Sequence, residues 1–170
     1  KDVLYIAGIP NASMLSGIIK AAIVIGRGTS IESSATQTQL SNEDIFQVYD
    51  EKPQYWQDVC AKTQRWYKAF HHVLTPSFLA AHFCVFGDLN IEAAEQFMEK
   101  LCSGIGLGAN DPIRVLREYF LRQLDLKGKK ANTTSYLSAI MIKGWNAYRQ
   151  NKEITQLKWD SSREEYPKPI

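Results

Sequence analysis

Helix-start signals recur along this chain, and strand signals are nearly absent. Thr75-Pro76 and Asp111-Pro112 each set a capping side chain directly before a proline. That pairing suits the first turn of a helix, where the N–H that proline lacks has no partner to lose. Asn90 offers a further cap, Ser41 with Asp44 has capping-box spacing, and Asn132 or Thr133 precedes another apolar run. Alternation of β-branched residues never runs beyond five positions, so no segment reads as a clear strand.

Apolar spacing fills in the helices between these signals. Asn11 is expected to cap a helix over 12–25 that Gly26 and Gly28 stop, and a short helix follows Ser41 to about Tyr49. Pro53 opens a helix to Phe70 whose Trp56, Val59, Cys60, Thr63, Trp66 and Tyr67 recur at three- and four-residue steps, one apolar stripe. Phe78-Leu79-Ala80-Ala81-His82-Phe83 is apolar nearly all round and should lie centrally, with His82 a satisfied core histidine. Ala94, Phe97, Met98 and Leu101 face inward on a helix that Gly104 ends, and Ile113, Leu116, Phe120, Leu121 and Leu124 mark the next. The last helix runs from about Ser135 to Gln150. The prediction is an all-α orthogonal multi-helix bundle of seven to eight helices over residues 1–152, with 153–170 as an extended arm and polar tail. Residues 153–159 alternate like a short strand or an extended arm, and the Ser/Thr-rich stretch 29–40 reads as a mobile loop.

A chain of 170 residues suits one domain and buries about two thirds of its unfolded surface, so neither disulfides nor a metal are needed to hold it. Cys60, Cys84 and Cys102 are an odd, widely spaced set, read as buried inert thiols in a reducing cytoplasm. No run of about 18 apolar residues is present, which argues against a membrane span. The opening Lys1-Asp2-Val3-Leu4 has neither an initiator Met nor a signal peptide's order, so the chain is expected to be cut from something longer.

The residues that could carry chemistry fall short of a catalytic centre. Ser103-Gly104-Ile105-Gly106-Leu107-Gly108 has the glycines of a phosphate loop but follows a helix rather than a strand, so it reads as a helix cap and turn, and nucleotide binding is excluded. His71 and His72, adjacent on a helix, would point about 100° apart, a poor start for a metal site. Ser77, Ser103 and Ser138 sit in no nucleophile motif. The chain is read as no enzyme in itself, with no cofactor.

Charge is more informative. The net charge is +2, yet residues 111–170 carry twelve Lys/Arg against seven Asp/Glu, while residues 1–110 carry eight against eleven. On the last helix Leu137, Met141, Gly144, Trp145 and Tyr148 line a core side, and Lys143, Asn146, Arg149 and Lys152 recur at three-residue steps on the other. Cations with an Asn on one exposed helix face can hold phosphates and a base edge. Lys143, Arg149, Lys158 and the linker residues Lys129 and Lys130 (beside Lys127) are the candidate phosphate contacts, and Asn146 the candidate base contact, for DNA. A solvated basic face is the plain alternative. A second alternative is a protein-interaction or self-association module that uses Tyr55, Trp56, Trp66 and Tyr67, provided these are exposed.

Three stretches resemble a known family. Asp2-Val3-Leu4-Tyr5-Ile6-Ala7-Gly8 with Asn11-Ala12-Ser13 is the first. The second is Phe97-Met98-Glu99-Lys100-Leu101-Cys102-Ser103-Gly104, then Gly106-Leu107, Asp111-Pro112-Ile113 and Leu116-Arg117. The third is Ile142-Lys143-Gly144-Trp145-Asn146-Ala147-Tyr148-Arg149, then Leu157-Lys158-Trp159 and Glu165-Tyr166-Pro167. Together they resemble the helical C-terminal domain of phage- and prophage-encoded proteins whose N-terminal domain is ParB-like, of the sulfiredoxin fold. Gly144 stands where that family usually has Ala. The resemblance implies a phage-associated, DNA-connected setting and a non-catalytic accessory role. The ParB-like domain, with its D-G-Q-H-R-like motif, is outside these 170 residues, so no catalytic residue carries over. It also offers another reading of Lys143, Trp145, Asn146 and Arg149, as residues that pack against the Leu157–Trp159 arm.

Overall fold

In a computed structural model, residues 3–26, 40–71, 73–125 and 133–170 are described. They hold eight helices and no strand: α1 (Val3–Ile6), α2 (Ala12–Gly26), α3 (Asn42–Glu51), α4 (Pro53–Ala69), α5 (Pro76–Leu89), α6 (Ile91–Ser103), α7 (Pro112–Asp125) and α8 (Thr134–Arg149). The fold is thus an all-α multi-helix bundle.

The expected side-chain caps are present at the starts of α3, α5, α6 and α8. Thr75 Oγ1 accepts from Phe78 N–H (3.2 Å), Asn90 Oδ1 from Ala93 N–H (2.9 Å) and Thr133 Oγ1 from Tyr136 N–H (3.2 Å). Ser41 and Asp44 form a reciprocal capping box. Each bond satisfies an orphan N–H of a first turn. Asn11 departs from expectation: its carbonyl accepts from Leu15 N–H at the start of α2, but its backbone is left-handed (φ +59°) rather than extended. Asn tolerates that region better than most residues. The one-turn α1 had no sequence signal of its own. The expected loop at 29–40 falls, save for Leu40, outside the described residues, as do Asn132 and the basic linker.

α5 is the centre. Every residue from Phe78 to Phe86 is buried, and the helix contacts α2, α4, α6 and α8, most extensively α2. Trp145 of α8 lies flat on Phe86 of α5 (centroids 4.4 Å, planes 5° apart) and edge-on to Phe97 of α6 (5.4 Å). Stacked and edge-to-face aromatic pairs add about 0.5–1.5 kcal/mol each beyond their area. α8 reaches this depth because Gly144 lets its backbone approach α7: a Cβ there would meet Leu116 Cδ2 at 2.8 Å. That close approach gives the glycine a packing reason.

His82 is fully buried, and it is satisfied, as an inward histidine must be. With Nδ1 donating to the Phe78 carbonyl (2.7 Å), Nε2 accepts from the Ser138 hydroxyl (2.8 Å), which ties α5 to α8. Cys60, Cys84 and Cys102 are buried free thiols.

Candidate functional site

The C-terminal helix and the segment that follows it hold most of the candidate residues. α8 ends at Arg149, and Asn151 turns the chain with a positive φ (+51°). The arm then runs back without forming a strand, pinned at its start by Ile154 N–H to the Asn110 carbonyl (3.1 Å). Leu157 and Trp159 pack on the bundle, and Trp159 N–H donates to Tyr136 Oη at the first turn of α8 (3.3 Å).

Beyond Trp159 the tail lies along α8 as a strap. Lys143 pairs with Glu164 (2.5 Å). Tyr166 donates to the Ser135 carbonyl (3.2 Å) and packs edge-on to Trp159 (5.3 Å). Asn146 Nδ2 donates to the Lys168 carbonyl (2.9 Å), and its Oδ1 accepts from Ile170 N–H (3.1 Å). Trp145 Nε1 donates to the Ile170 carbonyl (2.8 Å). The pair with Lys143 and a hydrogen bond from Ser162 hold the Glu164 and Asp160 carboxyls, respectively, below the usual carboxylate range.

In this geometry Asn146, the expected base contact, faces main chain. All its polar capacity toward the tail is used on main chain, because a carboxamide offers a donor and an acceptor side by side, as an extended peptide does. Its partner is the 168–170 tail and not the Leu157–Trp159 arm, so the packing alternative is met by a different segment. Lys143 is engaged by a carboxylate. Arg149 is exposed, with its guanidinium 5.5 Å from the Trp145 ring centroid. Lys158 is exposed beside the first turn of α8, whereas Arg149 closes its last turn, roughly 20 Å away along the axis at 1.5 Å per residue. Lys127, Lys129 and Lys130 lie outside the described residues. The tail also brings acids, so residues 143–170 hold six Lys/Arg against four Asp/Glu.

The aromatics of the interaction alternative are not the exposed set it required. Trp56 and Trp66 are buried, and Tyr55 and Tyr67 partly so. Trp66 turns inward because its indole N–H finds Glu99 Oε2 (2.8 Å), which also receives Arg65. Large apolar side chains are exposed elsewhere, at Tyr5, Ile6 and Ile105 among others.

The motif residues of the Phe97–Arg117 stretch have structural work. Gly104 takes the left-handed cap of α6 (φ +73°), and Arg117 donates to the Leu101 and Cys102 carbonyls (2.5 and 2.8 Å) while lying over the Phe70 ring. The arginine thereby satisfies helix-end acceptors that α6 cannot pair itself.

A hollow of about 320 Å³ includes Glu51, Lys52, Tyr55, Cys84 and Asp88 in its wall. Burial pushes the Cys84 thiol up to about 12 and raises the Tyr55 phenol too, which favours the protonated form of both at neutral pH. The His82–Ser138 pair resembles a base and its nucleophile, a pairing no spacing rule gave. Both residues, however, are 0% exposed. Among the described residues no group of three or more His, Cys, Asp or Glu could hold a metal, and no helix is long and apolar enough to cross a membrane. His72 of the considered histidine pair lies outside them.

Fold and face together define a helical domain with a strapped C-terminal helix. Comparison with protein-family models, curated proteins and solved structures finds no match to this chain.

Proposed function

We propose that this chain is a non-catalytic helical accessory domain, of the kind carried by phage-associated ParB-like proteins, and that it acts by contacting another protein in the cytoplasm. The observation that carries the reading is the occupant of α8. Two of the six side chains that could have held phosphates and a base instead bind a carboxylate and peptide main chain: Lys143 takes Glu164, and Asn146 takes Lys168 and Ile170. Three buried free thiols suit a reducing compartment. The ancestry rests on the motif resemblance, in which Glu99, Gly104, Arg117, Trp145 and Asn146 each have a defined packing role.

Nucleic-acid binding is the second reading, favoured by the exposure of Arg149 and Lys158. Fluorescence anisotropy of labelled double- and single-stranded DNA across a salt series separates the two. The protein reading expects no binding at near-physiological salt. Binding whose log affinity falls linearly with log salt, and whose slope shrinks in Arg149→Glu with Lys158→Glu, would transfer the assignment to nucleic acid.

A further inference from the structure

Asn146 pairs with main-chain groups two residues apart, the carbonyl of Lys168 and the N–H of Ile170. The residue between them is Pro169, and Pro167 precedes them. Proline fixes φ and has no N–H, so a Pro-x-Pro segment stays extended and offers its remaining polar groups outward. Here those groups are met by side chains of α8: the Asn146 amide, and the Trp145 indole N–H on the Ile170 carbonyl. Upstream, Tyr166 packs on Trp159, and Glu164 meets Lys143. Aromatic rings, an indole N–H aimed at a carbonyl and one charge of fixed sign are the parts with which proteins read extended proline-rich peptides.

The strap lies over the surface of α8, with Tyr166 as its one residue packed against the core and polar contacts holding the rest. No residue after Ala147 is buried, Ile170 is 49% exposed, and the two partners of the Lys143–Glu164 pair are 30% and 41% exposed. Lifting residues 164–170 therefore gives up the Tyr166 packing and these polar contacts but withdraws no fully buried side chain from the core.

We infer that α8, together with Trp159, is a recognition groove for an extended acid–aromatic–Pro-x-Pro segment of a partner protein, and that residues 164–170 occupy it in cis as a competing strap. This deepens the protein-contact reading and rests on it. The recognised pattern is a carboxylate, then an aromatic residue two positions on, followed by Pro-x-Pro and an apolar residue, as in Glu164 to Ile170. Because the cis segment is tethered at a local concentration of about millimolar or more, a free peptide sees a groove that is mostly filled. Weakening the strap is thus the way to reveal the site.

The test uses a fluorescein-labelled peptide with the sequence of residues 162–170 and measures its anisotropy against the full chain. The strap-weakened chain, Glu164→Ala with Tyr166→Ala, binds it at least about tenfold more tightly than the unaltered chain does. Adding Asn146→Ala to that chain abolishes the gain, and replacing both prolines of the peptide with Ala weakens binding. Equal affinity for the unaltered and strap-weakened chains, or a gain that survives Asn146→Ala, overturns the proposal. Should the weakened chain fail to fold by circular dichroism, the unaltered chain is titrated with peptide to millimolar concentration by NMR. With a nitroxide label on the peptide, the Trp145 and Trp159 indole N–H resonances broaden together as it replaces the strap; resonances that stay sharp overturn the groove. A concentration-dependent dimer that Asn146→Ala dissociates would overturn the assignment to a separate partner, because the groove would then take the strap of a second copy. A silent peptide with silent DNA removes only the groove, whereas salt-dependent DNA binding removes the parent reading.

Discussion

The buried pair His82–Ser138 makes the stability of this domain depend on pH in a range where few other groups act. Burial lowers the His82 pKa from 6.5 to about 4, against a smaller upward effect of the Phe78 carbonyl on Nδ1. The imidazole is therefore neutral in the folded protein at pH 5, while in the unfolded chain it is mostly protonated. The unfolded state binds the extra proton, so stability is full above pH 6.5 and falls as pH drops from there toward 4. Integrating the two titrations between pH 7.5 and 5 gives a loss of about 2 kcal/mol, since each pKa unit is worth about 1.36 kcal/mol. With a urea m-value of about 2 kcal/mol/M, the midpoint moves down by about 1 M. The control is His82→Leu with Ser138→Ala, which removes both members so that neither is left without a partner, a replacement that can be nearly neutral at pH 7.5. Asp160 and Glu164, whose folded pKa values are lowered, also lose stability on acidification, but in the carboxylate range and equally in both proteins. Urea titrations of both proteins at pH 7.5, 6.5, 5.8 and 5 should show the native chain losing about 2 kcal/mol more than the double variant. Parallel losses would refute the reasoning and place the acid sensitivity elsewhere.

Other perturbations have equally definite outcomes. Thr63 Oγ1 is buried without a hydrogen-bond partner, so the nearly isosteric Thr63→Val should raise stability by about 1 kcal/mol in a urea titration; a loss would mean the hydroxyl is satisfied in solution. Gly104→Ala forces a Cβ into left-handed backbone and to 2.8 Å from Arg117 Nε, and should cost about 2 kcal/mol by the same measure. Burial pushes the thiols of Cys84 and Cys102 up to about 12. Native protein at pH 8 should therefore leave both unlabelled by iodoacetamide, with modification read by mass spectrometry appearing only in denaturant; rapid native labelling of either would contradict that burial.

Sequence alone settled the helical class, most of the boundaries and the inward faces, because these depend on local chemistry. Thr75, Asn90 and Thr133 cap through their own side chains to N–H groups three residues on, and a 3.6-residue period of apolar side chains needs no knowledge of a neighbour. The apolar run around His82 likewise announced a central helix. What lay beyond reach was every property set by residues distant in sequence. The choice of Ser138 as partner to His82 spans 56 positions, and the inward turn of Trp66 depends on Glu99, 33 positions away. Above all, Lys143 and Asn146 present the same periodic polar face whether they meet phosphate, water or peptide. Only the tertiary path of the arm, which returns residues 164–170 along α8, decides that Lys143 meets a carboxylate and that Asn146 binds backbone. Helix periodicity specifies which side of a helix is polar, and the fold of the rest of the chain specifies what that side touches.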